Sequence, residues 1–175
     1  DIIILAAAYG VNYSEQDFDQ SINVNVKGGV HLVEACKKYG VNKLFYLGTS
    51  LEYGNSDGLL KETNILAPQG MYGAVKAAST IIMSERALSL GIPLIILRLF
   101  NVWGPLEGRY KLVPQVISSC LEKTDLYLTS GEQIRDYIFV KDVVNIIYLL
   151  LFNESISNNS IINIGSGRGI TIKDF

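Results

Sequence analysis

Histidine is almost missing from this chain of 175 residues: His31 is the only one. A single imidazole leaves no Ser/His/Asp arrangement and no HExxH motif, so His-based hydrolysis and zinc-protease chemistry have nothing to work with. His31 itself falls mid-helix beside Val30 and Val33 and reads as a structural or surface residue. Cysteine is nearly as scarce. Cys36 and Cys120 stand 84 residues apart, with no CxxC and no metal-ligand spacing, which excludes a disulfide framework and a zinc site. Two buried thiols in a reducing compartment are expected instead. A long apolar run is also lacking. Runs such as Ile146 to Phe152 are far short of the roughly 20 residues a bilayer span needs. No signal-peptide pattern is visible, and a cytoplasmic location is expected. Charge of one sign is absent too: 15 basic against 17 acidic residues give a net charge of −2. That leaves no basic face for nucleic acid or an anionic membrane. With 49% hydrophobic and 18% charged residues, disorder is excluded as well. The chain lacks an initial Met. It starts Asp1-Ile-Ile-Ile-Leu inside an apolar run and stops at Ile172-Lys-Asp-Phe175, in the expected first turn of a helix. It reads as a piece of something longer.

What is present is an alternation. Residues 1–8 form a continuous apolar run, the mark of a strand buried on both faces. Residues 19–39 have helical spacing, with Ile22, Val26, Val30, Val33 and Cys36 on one face and Gly40 as the stop. A second buried strand is predicted over 43–49, a turn-rich stretch over 54–70 and a helix over 71–90 ending at Gly91. A third buried strand is predicted over 93–100. Strand, helix, strand, helix, strand at this spacing is a βαβαβ unit with a parallel sheet. Beyond Pro105 the texture changes. A helix over 112–122, short strands at 125–128 and 136–140, a helix over 142–152 and a strand at 161–164 are expected. They read as a smaller mixed lobe. Ligands of parallel sheets sit at the carboxyl ends of the strands, here residues 6–8, 48–50 and 100–102.

The chemistry left to such a site is Tyr with Lys four residues on. With ten Tyr, chance alone supplies about half a match, and the chain has three: Tyr39/Lys43, Tyr72/Lys76 and Tyr137/Lys141. The first straddles a helix end. The third lies on a predicted strand, where four residues span about 13 Å. Only Tyr72 and Lys76 share one helical face, one turn apart. A phenol has a reference pKa of about 10, and a nearby ammonium favours its phenolate. Such a pair can exchange the proton of a substrate hydroxyl while hydride moves to or from a cofactor. Thr49 or Ser50, at the end of the second strand, is placed to orient the same oxygen. On geometry alone a helix-surface pair is an equal alternative.

The ordered segments LAAA from Leu5, Asn25-Val26-Lys27-Gly28, LGTSLEYG from Leu47, MYGAVK from Met71, RLFNVWGP from Arg98, RDYIFVKDVV from Arg135 and NIGSG from Asn163 resemble the extended short-chain dehydrogenases. They are most similar to the NAD-dependent epimerase/dehydratase family that acts on nucleotide sugars. The resemblance implies a partial Rossmann-like, doubly wound parallel α/β sheet over residues 1–105, lacking its first βα units. A partial, smaller mixed substrate-binding lobe is implied over 106–175, with a returning element of the core. It implies Thr49, Tyr72 and Lys76 as catalytic residues. Leu5, Ala6, Ala7, Asn25, Leu47, Gly48, Phe100 and Val102 are implied at the cofactor, together with Tyr72 and Lys76. Ser50, Asn101, Lys111, Leu112 and Arg135 are implied at the substrate. For Arg135 the fork of guanidinium donors suits a diphosphate, the alternative being an ion pair with Asp136 or Asp142. NAD or NADP is the implied cofactor, NAD being favoured. The implied partner is a nucleotide-diphosphate sugar, and the implied assembly is a homodimer built on the helices of 19–39 and 70–90. The phosphate-binding fingerprint is expected before Asp1 and the segment closing the sugar site after Phe175.

Two departures refine the expectation. Dehydratases of the family carry an acidic pair, or Ser-Glu, directly after the Thr. Here Ser50-Leu51 follows and Glu52 comes one position late. In a strand that shift points the side chain away, which, unless the loop bulges, favours an epimerase acting through a transient keto-sugar, with a 4-keto-sugar reductase as the alternative. A dehydratase or a non-catalytic NAD(P)-binding homologue ranks below both. The run Gly165-Ser-Gly-Arg-Gly169 invites a dinucleotide fingerprint, but its spacing is GxGxG with no acidic residue about 20 positions on. The resemblance places it in a turn of the substrate lobe.

Overall fold

The computed structural model describes residues 1–12, 14–15, 17–55 and 58–175, so the turn-rich stretch is covered except at 56 and 57. The chain divides into two compact units. The first comprises residues 1–99 and 151–164 and the second residues 100–150 and 165–175.

The first unit is a four-stranded parallel sheet. Its strands are β1 (Ile2–Leu5), β2 (Lys43–Thr49), β3 (Leu94–Leu99) and β6 (Ser160–Ile164), in the order β1-β2-β3-β6. Register pairs Leu44 with Leu94 and Thr49 with Leu99, and Leu99 in turn with Ile164. Between β1 and β2 the chain forms a short helix α1 (Phe18–Ser21), a π-helical segment Ile22–Lys27 and α2 (Gly28–Tyr39). Asp17 caps this run by accepting from Gln20 N at 2.7 Å, and Gly40 ends it in the left-handed region at φ 66°. A 3₁₀ turn, Ser50–Glu52, follows β2, and α3 (Gly70–Leu90) leads to β3. One face of the sheet packs Leu44, Tyr46, Leu94 and Ile96 against Val33 and Cys36 of α2 and Met83 and Ala87 of α3, all buried. Phe45, Ile95 and Leu97 on the other face are equally enclosed. This is the two-sided burial that continuous apolar runs signal. β1 is different. It lies at the sheet edge, and Ile2 and Ile4 keep 44% and 42% of their surface.

The second unit holds a three-stranded sheet of β4 (Asn101–Trp103), β5 (Ile134–Phe139) and β7 (Gly169–Thr171), with helices α4 (Leu112–Glu122) and α5 (Val140–Leu151). β4 and β5 run parallel and β5 and β7 antiparallel. Both observed sheets agree with a Rossmann-like parallel layer and a smaller mixed lobe. Details differ from expectation. No strand forms at 125–128: Tyr127 is 93% exposed and the segment has no neighbouring strand, and an unpaired β-pattern has no ladder to join. β4 and β7, three residues each, are too short to show a period of two. Cys120 is exposed rather than buried, because it lies on α4, which has no fully buried residue. Cys36 is buried as expected and His31 is exposed on α2.

Gly54 follows the 3₁₀ turn with φ 71°, and a Cβ there would collide with the Ala67 carbonyl. A left-handed L-residue costs about 1–2 kcal/mol and overpacking about as much again. Gly54→Ala is therefore expected to destabilise the protein by about 3 kcal/mol, read from urea unfolding. A loss below about 1 kcal/mol would refute that account.

Candidate active site

Thr49 is the last residue of β2, still extended at φ −147° and ψ 147°, and it caps the 3₁₀ turn that follows. Its Oγ1 accepts from Leu51 N at 3.3 Å, and its own N–H donates to Glu52 Oε1 at 3.0 Å. This is a reciprocal capping box compressed onto a single turn. Glu52 therefore does not follow the alternation of a strand. It folds back beneath the end of β2, fully buried, and accepts from Arg98 Nε at 2.9 Å. Arg98 is 2% exposed and donates from Nη1 to Tyr53 Oη at 2.8 Å, while its guanidinium lies over the Tyr53 ring. Tyr53 donates in turn to Asn163 Oδ1 at 2.7 Å.

The Tyr72/Lys76 pair sits at the start of α3. Gly73, between them, has room for no side chain: a Cβ would lie 2.8 Å from Leu51 O. That close approach presses the first turn of α3 onto the 3₁₀ turn beside Thr49. Tyr72 is half-buried, and its ring borders Gly10. Lys76 is 1% exposed, donates to Leu47 O at 2.7 Å and stands 4.0 Å over the face of the Tyr46 ring. Burial lowers its pKa to about 8, against the pull of the Glu52 carboxylate. Burial likewise raises that of Tyr46. Leu47 thus serves through its carbonyl and Gly48 by lacking a side chain, since a Cβ would lie 2.7 Å from Glu52 Oε1.

The other expected residues fall as follows. Leu5 ends β1, and Ala6, Ala7 and Ala8 continue from it as an exposed strip of methyl side chains. Asn25 is buried in the π-helical segment. Its side chain accepts from Tyr9 N and donates to Tyr9 O and Ser21 O, so it ties down the loop after β1. Ser50 opens the 3₁₀ turn. In the second unit Phe100 precedes β4, Asn101 and Val102 belong to it, and Asn101 Nδ2 donates to Asp136 O at 3.1 Å. Lys111 is the N-cap of α4 and Leu112 its first residue. Arg135 is exposed, and no carboxylate lies within ion-pair distance of it among the described residues. Asp136 is engaged elsewhere. Its carboxylate accepts from Ser166 N and Oγ, both at 2.7 Å, and from Gly167 N at 2.9 Å. The two N–H groups are the backbone donors a phosphate would need from the Gly165–Gly169 turn, so the protein's own carboxylate fills that nest.

Sequence reasoning missed Tyr46 and the buried chain Glu52–Arg98–Tyr53–Asn163. One signal was available: Arg98 is an ionisable residue inside the apolar run Leu94–Leu99, a placement that demands a buried partner.

The sequence profile of the NAD dependent epimerase/dehydratase family matches residues 1–165. Among curated relatives, the dTDP-D-glucose 4,6-dehydratase of Dictyostelium discoideum is 31% identical over 99% of this chain and 43% of its own length. The UDP-glucose 4-epimerase of Corynebacterium glutamicum is 28% identical over 98% of this chain and 57% of its own. The crystal structure of the UDP-glucuronic acid 4-epimerase from Bacillus cereus with UDP-glucuronic acid and NAD superposes with a TM-score of 0.92 at 28% identity. It covers 99% of this chain and 56% of that one. The chain belongs to the NAD dependent epimerase/dehydratase family. It spans about half the length of the curated relatives it matches.

Lys76 yields a prediction in pH. Its folded-state pKa of about 8 lies below its ordinary 10.5, so between those values the unfolded chain binds more protons and stability rises with pH. The burial cost, fully present below pH 8, is relieved across that window. Wild-type protein is expected to gain stability relative to Lys76→Met from about pH 8 to pH 10. Parallel pH curves in chemical denaturation would contradict this.

Proposed function

We propose that this chain carries the catalytic Tyr, Lys and Thr of an NAD-dependent nucleotide-sugar 4-epimerase. The observation that favours an epimerase over a dehydratase is the state of Glu52. Ser50 and Leu51 directly after Thr49 are not acids, and the nearest carboxylate is buried and paired with Arg98. Among the described residues, Glu52 is thus not a free acid available beside Thr49 to drive loss of water.

The residues present fit a nicotinamide dinucleotide. Lys76 is an enclosed ammonium with one protein acceptor for its three N–H donors among the described residues. That leaves donors for ribose hydroxyls. The exposed strip Ala6–Ala8 offers backbone without bulky side chains at a strand end, the usual ligand position in a parallel sheet. Bound NAD would supply the hydride acceptor and donor. Tyr72, as phenolate, takes the proton of a sugar hydroxyl and later returns it. Lys76, charged below about pH 8, favours the phenolate electrostatically. Thr49 keeps its hydroxyl proton for donation, because the capping bond uses only an oxygen lone pair, and it donates to the same sugar oxygen. Arg135, with no carboxylate in ion-pair distance among the described residues, and Lys111 are the cations for the diphosphate of a UDP- or dTDP-sugar.

In the full-length protein, Tyr72→Phe is expected to lower kcat by about 10³-fold, since general acid–base catalysis contributes 10²–10⁴. The assay follows interconversion of UDP- and dTDP-hexose epimers without added cofactor. An unchanged rate in the variant would overturn the assignment of the base. Stoichiometric consumption of NADPH would reassign the protein as a reductase.

A further inference from the structure

Resting on the role of Thr49 proposed above, we infer that Glu52 and Arg98 are positioning residues: their buried ion pair clamps the Thr49 amide and so fixes the direction of the Thr49 hydroxyl. The Glu52 carboxylate divides its two oxygens between the Thr49 N–H, at 3.0 Å, and Arg98 Nε, at 2.9 Å. Neither side chain is available to solvent, with exposures of 0% and 2%. Arg98 is held from its other side by Tyr53, whose hydroxyl accepts from Arg98 and donates to Asn163. Asn163 is itself anchored, with its backbone N–H on Glu62 Oε1 at 2.8 Å and its side-chain amide on Leu60 O at 3.2 Å. The chain of bonds therefore runs from β6 through β3 to the end of β2 and terminates on Thr49.

Three considerations favour positioning over stability. A buried ion pair gains little over an apolar replacement, and its best-attested use is to specify one arrangement. Gly48 leaves room for the carboxylate, since a Cβ there would lie 2.7 Å from Glu52 Oε1, so the local backbone accommodates this one contact. Thr49 also stands at the junction of an extended strand and a 3₁₀ turn, where the hydroxyl direction follows the backbone that the clamp holds. Glu52 is too enclosed to touch a sugar, so its effect on rate passes through Thr49.

The test is a double-mutant cycle in the full-length protein, with UDP-glucose and dTDP-glucose as probes. Thr49→Ala removes the hydroxyl but keeps the clamped amide. Glu52→Gln leaves one of the two contacts without an acceptor. Glu52→Gln is expected to lower kcat by about 10–100-fold in the wild-type background and by less than about 3-fold in Thr49→Ala, because the two act as a unit. NAD affinity by calorimetry should stay within about 3-fold, and hydrogen exchange of the 47–53 peptide should accelerate at least about 10-fold. Effects on kcat that multiply across the two backgrounds would overturn the inference, as would unchanged exchange. If Glu52→Gln does not fold, the same cycle with Tyr53→Phe, which deletes one oxygen at the far end, should show a loss of about 3–10-fold that again vanishes in Thr49→Ala. A Thr49→Ala enzyme at the wild-type rate would instead remove the role proposed for Thr49, and this inference with it, whichever way the exchange result falls.

Discussion

Taking a carboxylate and a guanidinium out of water costs several kcal/mol per ion, recovered only when geometry and hydrogen bonding are close to complete. The Glu52–Arg98 pair is such a buried pair, in contact at 2.9 Å at the carboxyl end of the first unit's sheet, and much of its surroundings serves to hydrogen-bond it. Both carboxylate oxygens are used. Tyr53 has its hydroxyl where a phenylalanine would have left Arg98 Nη1 without an acceptor. Asn163 occupies a strand position where an apolar residue would otherwise fit, because Tyr53 needs an acceptor in turn. Gly48 interrupts an apolar strand because the carboxylate lies against its Cα.

Lys76 is a second buried charge, and it is treated in the opposite way. Among the described residues it has one carbonyl acceptor and the face of an aromatic ring, a cation–π contact that softens burial without satisfying its donors. A carboxylate with both oxygens engaged, against a guanidinium held by Tyr53 as well, makes a rigid platform. An unsaturated ammonium remains able to bind and to influence a neighbouring phenol. The two sit on adjacent elements, the turn after β2 and the start of α3, brought together where Gly73 lets backbone meet backbone. Within one small region the fold thus separates shape-keeping charge from reactive charge.

The sheet was legible because parallel strands buried on both faces must be continuous apolar runs, and helix ends at Gly40 and Gly91 carry the residue that tolerates a left-handed conformation. Tyr72 and Lys76 were legible from one turn of spacing. The environment of Lys76 was not, because nothing local in the sequence tells that Tyr46, on a strand 30 positions earlier, lies beneath it. Glu52 was read by the alternation of a strand that ends at Thr49, and the 3₁₀ turn sends it inward by a different geometry. The run Asp125–Leu128 has the composition of a strand and no partner, whereas β4 and β7 have partners and little pattern. Pairing, which is non-local, decided all three. The π-helical segment around Asn25 is likewise set by a contact sixteen residues away, with Tyr9.

The exposed flank of β1 has a practical meaning. Its outer row of peptide groups, beside a face on which Ile2 and Ile4 are exposed, is a template for any extended chain that comes within reach, since edge strands without charge or proline to blunt them recruit further strands. None of the residues of β1, Ile2–Leu5, is charged. These 175 residues would be expected to self-associate through that flank in a concentration-dependent way. Self-association measured in solution would then report on strand recruitment rather than on the chemistry of Tyr72.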